Sequence, residues 1–144
     1  MMCLCRLKLK IDMTQEEKQL LLKDLCARLP YGVKVHITNE WFYDKIEPYD
    51  RRLDCDVIRN VRVNEYTVKP YLRPMSSMTE EEKEEIRQRF CYEWEESIPE
   101  LMYYSIEIGD ADCLIDWFLE HHFDHRGLIE KGLAIEAPEG MYNV

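Results

Sequence analysis

The sequence predicts an α+β fold, an antiparallel β-meander or small partly open barrel flanked by three helices. Three observations predict it. Two similar helix openers, Met13-Thr14-Gln15-Glu16-Glu17-Lys18 and Met78-Thr79-Glu80-Glu81-Glu82-Lys83, bracket a stretch of period-two hydrophobicity, and a helical apolar pattern stands near the end. In each opener a Thr stands three residues before a Glu, the capping box in which the two residues satisfy orphan backbone donors of a first turn. The residues after the two openers differ completely, so shared capping chemistry explains the likeness better than duplication.

Taken in order, Cys3, Cys5, Leu7, Leu9 and Ile11 alternate with Arg6, Lys8 and Lys10, which suits an added strand. Because Met13 also begins a natural opening, residues 1–12 can be read instead as a start-site extension, with a weakly packed added strand the favoured reading. A helix over 14–29 presents Leu21, Leu22, Leu25 and Leu29 on one face and stops at Pro30 and Gly32. From Val33 the period changes to two through Val35 and Ile37, and the pattern recurs over 41–46, 53–59 and 61–68. Lys69-Pro70-Tyr71-Leu72-Arg73-Pro74 is expected to stop the sheet, since proline donates no ladder hydrogen bond. A helix over about 79–96 turns Ile86, Phe90 and Trp94 inward. A strand over 101–108 is closed by Gly109-Asp110, and Asp110 or Asp112 caps a last helix with Leu114, Ile115, Phe118 and Leu119 inward, ending by Gly127. The tail docks through Leu128, Ile129, Leu133 and Ile135.

At 144 residues the chain fits one domain whose core needs neither metal nor disulfide, and no cofactor is expected. Charge divides unevenly. Residues 1–78 carry 14 Lys and Arg against 11 Asp and Glu, whereas residues 79–144 carry 5 against 18, so the halves stand at +3 and −13. The acidic half repels phosphate backbones and anionic lipid, which argues against nonspecific nucleic-acid binding and leaves basic protein surfaces as partners. Its plainer role is solubility. The six cysteines, at 3, 5, 26, 55, 91 and 113, form no C-x-x-C pair, so neither a zinc knuckle nor a thioredoxin-like motif is supported. The first residues lack the apolar run of a signal peptide and no stretch is long enough for a membrane span, which points to the cytoplasm and reduced thiols.

Candidate chemistry concentrates in the last third. His121 and His125, four apart, share a face if the last helix continues, Asp124 adds a carboxylate, and His122 stands beside them: a candidate metal site for a metal-dependent hydrolase. Against it, H-E-x-x-H is absent and Gly127 frays the helix, and histidines at a helix C-terminus also suit its dipole. Asp124-His125-Arg126 reads as an acid/base pair beside an anion-binding arginine, but Ser76, Ser77 and Cys113 are the only conceivable nucleophiles and none has a base; no catalytic residue is assigned. A basic and aromatic set, Arg51, Arg52, Arg59, Arg62, Lys69, Tyr71 and Arg73 with Trp41, Tyr43 and Tyr49, suits nucleic acid, but Asp44, Asp50, Asp54 and Asp56 cancel most of its field. Tyr71, Leu72, Arg73 and Met75, held between prolines, are candidate binding residues for another protein; the blander expectation is packing against the chain's own last helix.

Three blocks resemble a family: residues 20–35, through Leu25-Cys26-Ala27-Arg28-Leu29-Pro30-Tyr31-Gly32; residues 69–83, through Lys69-Pro70-Tyr71-Leu72-Arg73-Pro74; and residues 122–134, through His122-Phe123-Asp124-His125-Arg126-Gly127. They look like small phage- and prophage-associated proteins of gut Bacteroides-type bacteria. The resemblance covers about half the chain and excludes the first twelve residues. It implies a phage or mobile-element accessory protein in a bacterial cytoplasm, and brings no activity or catalytic residue. The expected function is noncatalytic binding of a host or phage protein.

Overall fold

In the computed structural model, which describes residues 13–38, 48–63, 67–90 and 108–142, the first opener folds as its residues dictate. Thr14 Oγ1 accepts from Glu17 N at 3.1 Å while Thr14 N donates to Glu17 Oε1 at 3.0 Å, closing the capping box of α1 (Gln15–Arg28). Leu21 and Leu25 are buried, and Asp24 and Arg28 are buried on the same stripe. A 3-10 turn through Pro30 ends the helix at Gly32, whose φ of 72° is left-handed and suits glycine.

Four strands are spread along the described chain: β1 (Lys34–Thr38), β2 (Tyr49–Arg52), β3 (Thr67–Leu72) and β4 (Ile135–Glu136). They form one sheet in the order β2-β1-β3-β4, with β1 antiparallel to β2 and β3, and β4 parallel to β3. The class is α+β as expected, but the sheet is mixed and open rather than a purely antiparallel meander or a barrel. Val35, Ile37, Val68 and Leu72 are all at most 1% exposed and face α1 and a helix the sequence did not announce, α2 (Cys55–Val63).

That helix replaces the strand expected over 53–59. The β-branched residues mimic a strand, yet Val57 and Val61, four apart, both reach the core. Asp54 Oδ1 caps the first turn by accepting from Val57 N at 2.9 Å. The expected stop at Pro70 also moves. Tyr71 O faces the β1 side, where it accepts from the Tyr142 hydroxyl, and Leu72 O faces the β4 side, where it accepts from Ala137 N at 2.8 Å. Alternation therefore turns the Pro70 nitrogen toward β4, which pairs only from Tyr71 onward, so the missing N–H meets no ladder. The strand expected over 41–46 lies outside the described residues.

Beyond β3, α3 (Glu80–Phe90) opens with the second capping box, Thr79 N to Glu82 Oε1 at 3.0 Å and Glu82 N to Thr79 Oγ1 at 3.2 Å. Ile86 is buried. The rest of the expected helix, with Trp94, lies outside the described residues, as does most of the strand expected over 101–108. The last helix, α4 (Ile108–Glu120), already includes Gly109 and Asp110, the residues expected to close that strand. It buries Leu114, Trp117, Phe118 and Leu119, so Trp117 joins the inward set and Ile115 is only partly buried.

The packing resolves into two clusters. One joins α1, α2 and the sheet with Leu128, Leu133 and Ala134 of the tail. The other joins Met78 and Ile86 to Leu114, Trp117, Phe118 and Phe123. The tail docks as expected, with Leu128 and Leu133 buried and Ile129 and Ile135 partly so, and with β4 as an added strand. Tyr142 completes it: Lys34 N donates to its hydroxyl at 2.9 Å and the hydroxyl donates to Tyr71 O at 2.8 Å, standing in for a ladder bond just past the β1–β3 pairing. Burial, the largest cause, pushes the Tyr142 phenol up to about 12. Tyr142→Phe leaves that amide and carbonyl unpaired, and should lower the unfolding free energy by about 1–3 kcal/mol in urea denaturation; an unchanged midpoint would contradict this role.

Candidate functional site

The helix α4 stops well before Gly127. Phe123 N donates to Phe118 O at 2.9 Å and His122 N to Leu119 O at 3.1 Å, the bond pair of a Schellman closure, with His122 at φ 64° in the left-handed position usually held by glycine. The chain therefore turns between His121 and His125, and the two imidazoles do not share a helical face. His121 stacks on Trp117 at 4.0 Å between centroids, with Nδ1 2.9 Å from Trp117 O. His125 stacks instead on Phe118, at 6.0 Å. Both Asp124 oxygens are engaged, accepting from Leu128 N at 2.8 Å and Ile129 N at 2.9 Å. Among the described residues no three His, Cys, Asp or Glu side chains converge as metal ligands, and His121, Asp124 and His125 are not brought together at one candidate ion position. Asp124 instead caps the turn that carries Leu128 into the core.

Two buried arginines hold this loop. Arg28, 0% exposed, reaches from α1 to donate through Nη2 to Phe123 O at 2.7 Å, while its Nε meets Asp24 Oδ2 at 2.7 Å. Arg126 Nε lies 3.2 Å from Asp24 Oδ1, close enough for ion pairing though off the line of a hydrogen bond, so two guanidinium groups share one fully buried carboxylate. Arg73 holds the other side. Its fork donates to Glu82 at 2.8 and 2.7 Å, Nη1 reaches His121 O at 3.3 Å, and the guanidinium lies 4.1 Å from the centre of the Phe123 ring. Burial works against the Glu82 carboxylate, but the Arg73 fork and the Thr79 amide outweigh it and hold its pKa below the ordinary value. The Arg73 main chain also pairs with the loop, N to His122 O and O from Asp124 N, each at 2.8 Å.

The expected binding residues of the connector are thus internal. Leu72 is 0% exposed, Tyr71 and Arg73 are buried and Met75 packs on the second cluster, because β3 runs through the segment and the loop after α4 covers its end. Met75 packs against the cluster that holds the last helix, as the blander expectation has it, whereas Leu72 belongs to the α1–α2–sheet cluster. Of the basic set, Arg51 pairs with Asp54 and Arg59 with Asp56 at 3.7 Å, so acidic neighbours do cancel part of that field. Of the conceivable nucleophiles, the Ser77 hydroxyl donates to Pro74 O at 2.7 Å and Cys113 is an exposed thiol on α4.

Two features were not foreseen. On the face of the sheet away from α1, Asp50 Oδ1 receives both His36 Nδ1 and the Tyr71 hydroxyl at 2.8 Å, one group from each of three adjacent strands. The hydrogen bonds from His36 and then from Tyr71 hold the Asp50 carboxyl below its ordinary range; burial, then the Asp50 hydrogen bond, push the Tyr71 phenol up. The alternation of His36 with Val35 and Ile37 gave the face, but not its partners. The second feature is an open cleft of about 630 Å³ between the turn 74–79 and the tail 136–142, with Arg73 in its lining and Glu136 and Glu139 exposed at its rim.

Arg28→Met leaves Asp24 buried with only Arg126 beside it and strips Phe123 O of its donor; the unfolding free energy should fall by about 3–5 kcal/mol in urea denaturation. A loss below about 1 kcal/mol would show that the pair holds nothing in place. Comparison with known proteins gives no match: no family model, no curated protein and no solved structure resembles this chain closely enough to be counted.

Proposed function

We propose that the protein is a noncatalytic protein-binding module, of the phage or mobile-element accessory kind that its sequence blocks suggest, and that the cleft beside β4 takes a basic segment of a host or phage protein. The observation that carries this reading is the charge of the rim. Glu136 and Glu139 are exposed and paired with no described cation, whereas Arg73 in the lining is neutralised by the Glu82 fork. Pro74 and Pro138 stiffen the two walls, which keeps the ordering cost of binding low. On α3, Lys83, Arg87 and Arg89 pair with Glu80, Glu84 and Glu85, and Glu81 is exposed at the start of the helix.

In the last third, His121 and His125 stack on Trp117 and Phe118 and Asp124 caps the turn into Leu128, so the groups that suggested chemistry there are taken up in packing and capping. No helix among the described residues is long and apolar enough to cross a membrane. The test is capture of partners by the tagged protein from nuclease-treated host lysate, repeated with Glu136→Lys/Glu139→Lys. The native protein should retain a stoichiometric protein released by salt, and the variant should bind it roughly tenfold or more weakly while unfolding at the same denaturant concentration. Equal retention by the variant, or recovery of nucleic acid alone from lysate left untreated, would sink the proposal.

A further inference from the structure

We infer that His122 and His125 form an acid-sensitive latch, whose protonation frees the loop after α4 and the tail from the sheet and thereby reshapes the cleft. This goes beyond the binding reading and stands without it. The geometry is a pair of imidazoles in one short loop, each stacked on an aromatic ring of another part of the chain. His122, in its left-handed position, stacks on Tyr142 with centroids 3.8 Å apart, and His125 stacks on Phe118. In both rings Nδ1 is buried and has no hydrogen-bond partner among the described residues. A buried lone pair costs little, but a buried N–H of an imidazolium needs an acceptor.

No carboxylate among the described residues is placed to supply one. His122 faces Arg28 of α1, Arg73 at the end of β3, its neighbour His121, and the Tyr142 phenol of the tail. His125 faces Arg28 again and Arg126, with Asp124 and the Phe123 backbone as its favourable neighbours. Asp124 is already engaged by two amides, Asp24 by Arg28 and Arg126, and Glu82 by Arg73. Burial first, and the arginines after it, push both imidazoles down to about 4.

Proton binding sets the sign of the effect. A released loop would titrate near 6.5, and the docked loop only near 4, so between those values the released state binds more protons and docking weakens as pH falls. By pH 5 each imidazole would favour release about twentyfold relative to pH 7. The movement reaches the cleft because Tyr142 both stacks on His122 and lines the cleft. A different residue at 122 would keep the turn without the sensitivity, since Asn also tolerates this backbone conformation.

The experiment is a nuclear magnetic resonance titration of the full chain from pH 7.5 to 4.5, monitoring both imidazoles and amide protection. Ala137 and Leu133 amides should lose protection below pH 6.5 while Leu53 N, bonded to Val33 O, stays protected. His122→Asn/His125→Gln should abolish the acid release, and His125→Gln alone, should the double variant fold poorly, should remove about twentyfold of the release gained between pH 7 and pH 5. The inference is overturned if Ala137 stays protected to pH 4.5, if the whole chain opens together, or if the variants release as the native protein does.

Discussion

The fully buried Asp24–Arg28 pair is the constraint on which the rest of the structure depends. Two ions on adjacent turns of α1 cannot be taken from water without further partners, because their attraction alone rarely offsets the loss of hydration. The partners come from a loop 95 residues later: the Phe123 carbonyl satisfies one arm of Arg28, and Arg126 shares Asp24. The requirement to pair these charges therefore dictates where the end of α4 must lie, and Phe123 and Leu128 enter different hydrophobic clusters from the same short loop. The loop joins the helical pair α3–α4 to the α1–α2–sheet layer.

Arg73 makes the join two-sided. Its main chain extends β3 by pairing with residues 122–124, and its side chain ties the capping carboxylate of α3 to the ring of Phe123. Glu82 thus serves at once as the reciprocal member of a capping box and as the counter-ion of a buried arginine. Placing one carboxylate in both roles couples the start of α3 to the end of β3. It also explains why a segment that reads as an exposed, proline-bounded connector is buried.

The sequence made local features legible. Both capping boxes span four residues and close as expected, and the alternation of Val33, Val35 and Ile37 sets the inner face of β1. The helix α2 was missed because nine residues rich in Val and Ile satisfy a strand period almost as well as Val57 and Val61 satisfy a helical one. The stop of α4 falls within the limit set by Gly127, but its agent was not legible, because a histidine, not the nearby glycine, takes the left-handed position. The site was illegible for a different reason. His36, Asp50 and Tyr71 come from three strands, and the partners of Arg28 lie at the far end of the chain, so no spacing rule joins them. One signal was present: Asp24 and Arg28 fall on the same stripe as Leu21 and Leu25, and charges on an apolar face imply distant partners.

If the loop after α4 is a structural join rather than a surface connection, at neutral pH its backbone should open only rarely, though more readily than the sheet. Native-state hydrogen exchange at neutral pH tests this directly. The amides of Phe123, Leu128 and Leu133 should be protected by at least about 3 kcal/mol, below the global value at which the β1–β3 ladder opens. Exchange of these amides at close to unprotected rates, while the ladder stays closed, would show that the buried arginines do not hold the two clusters together.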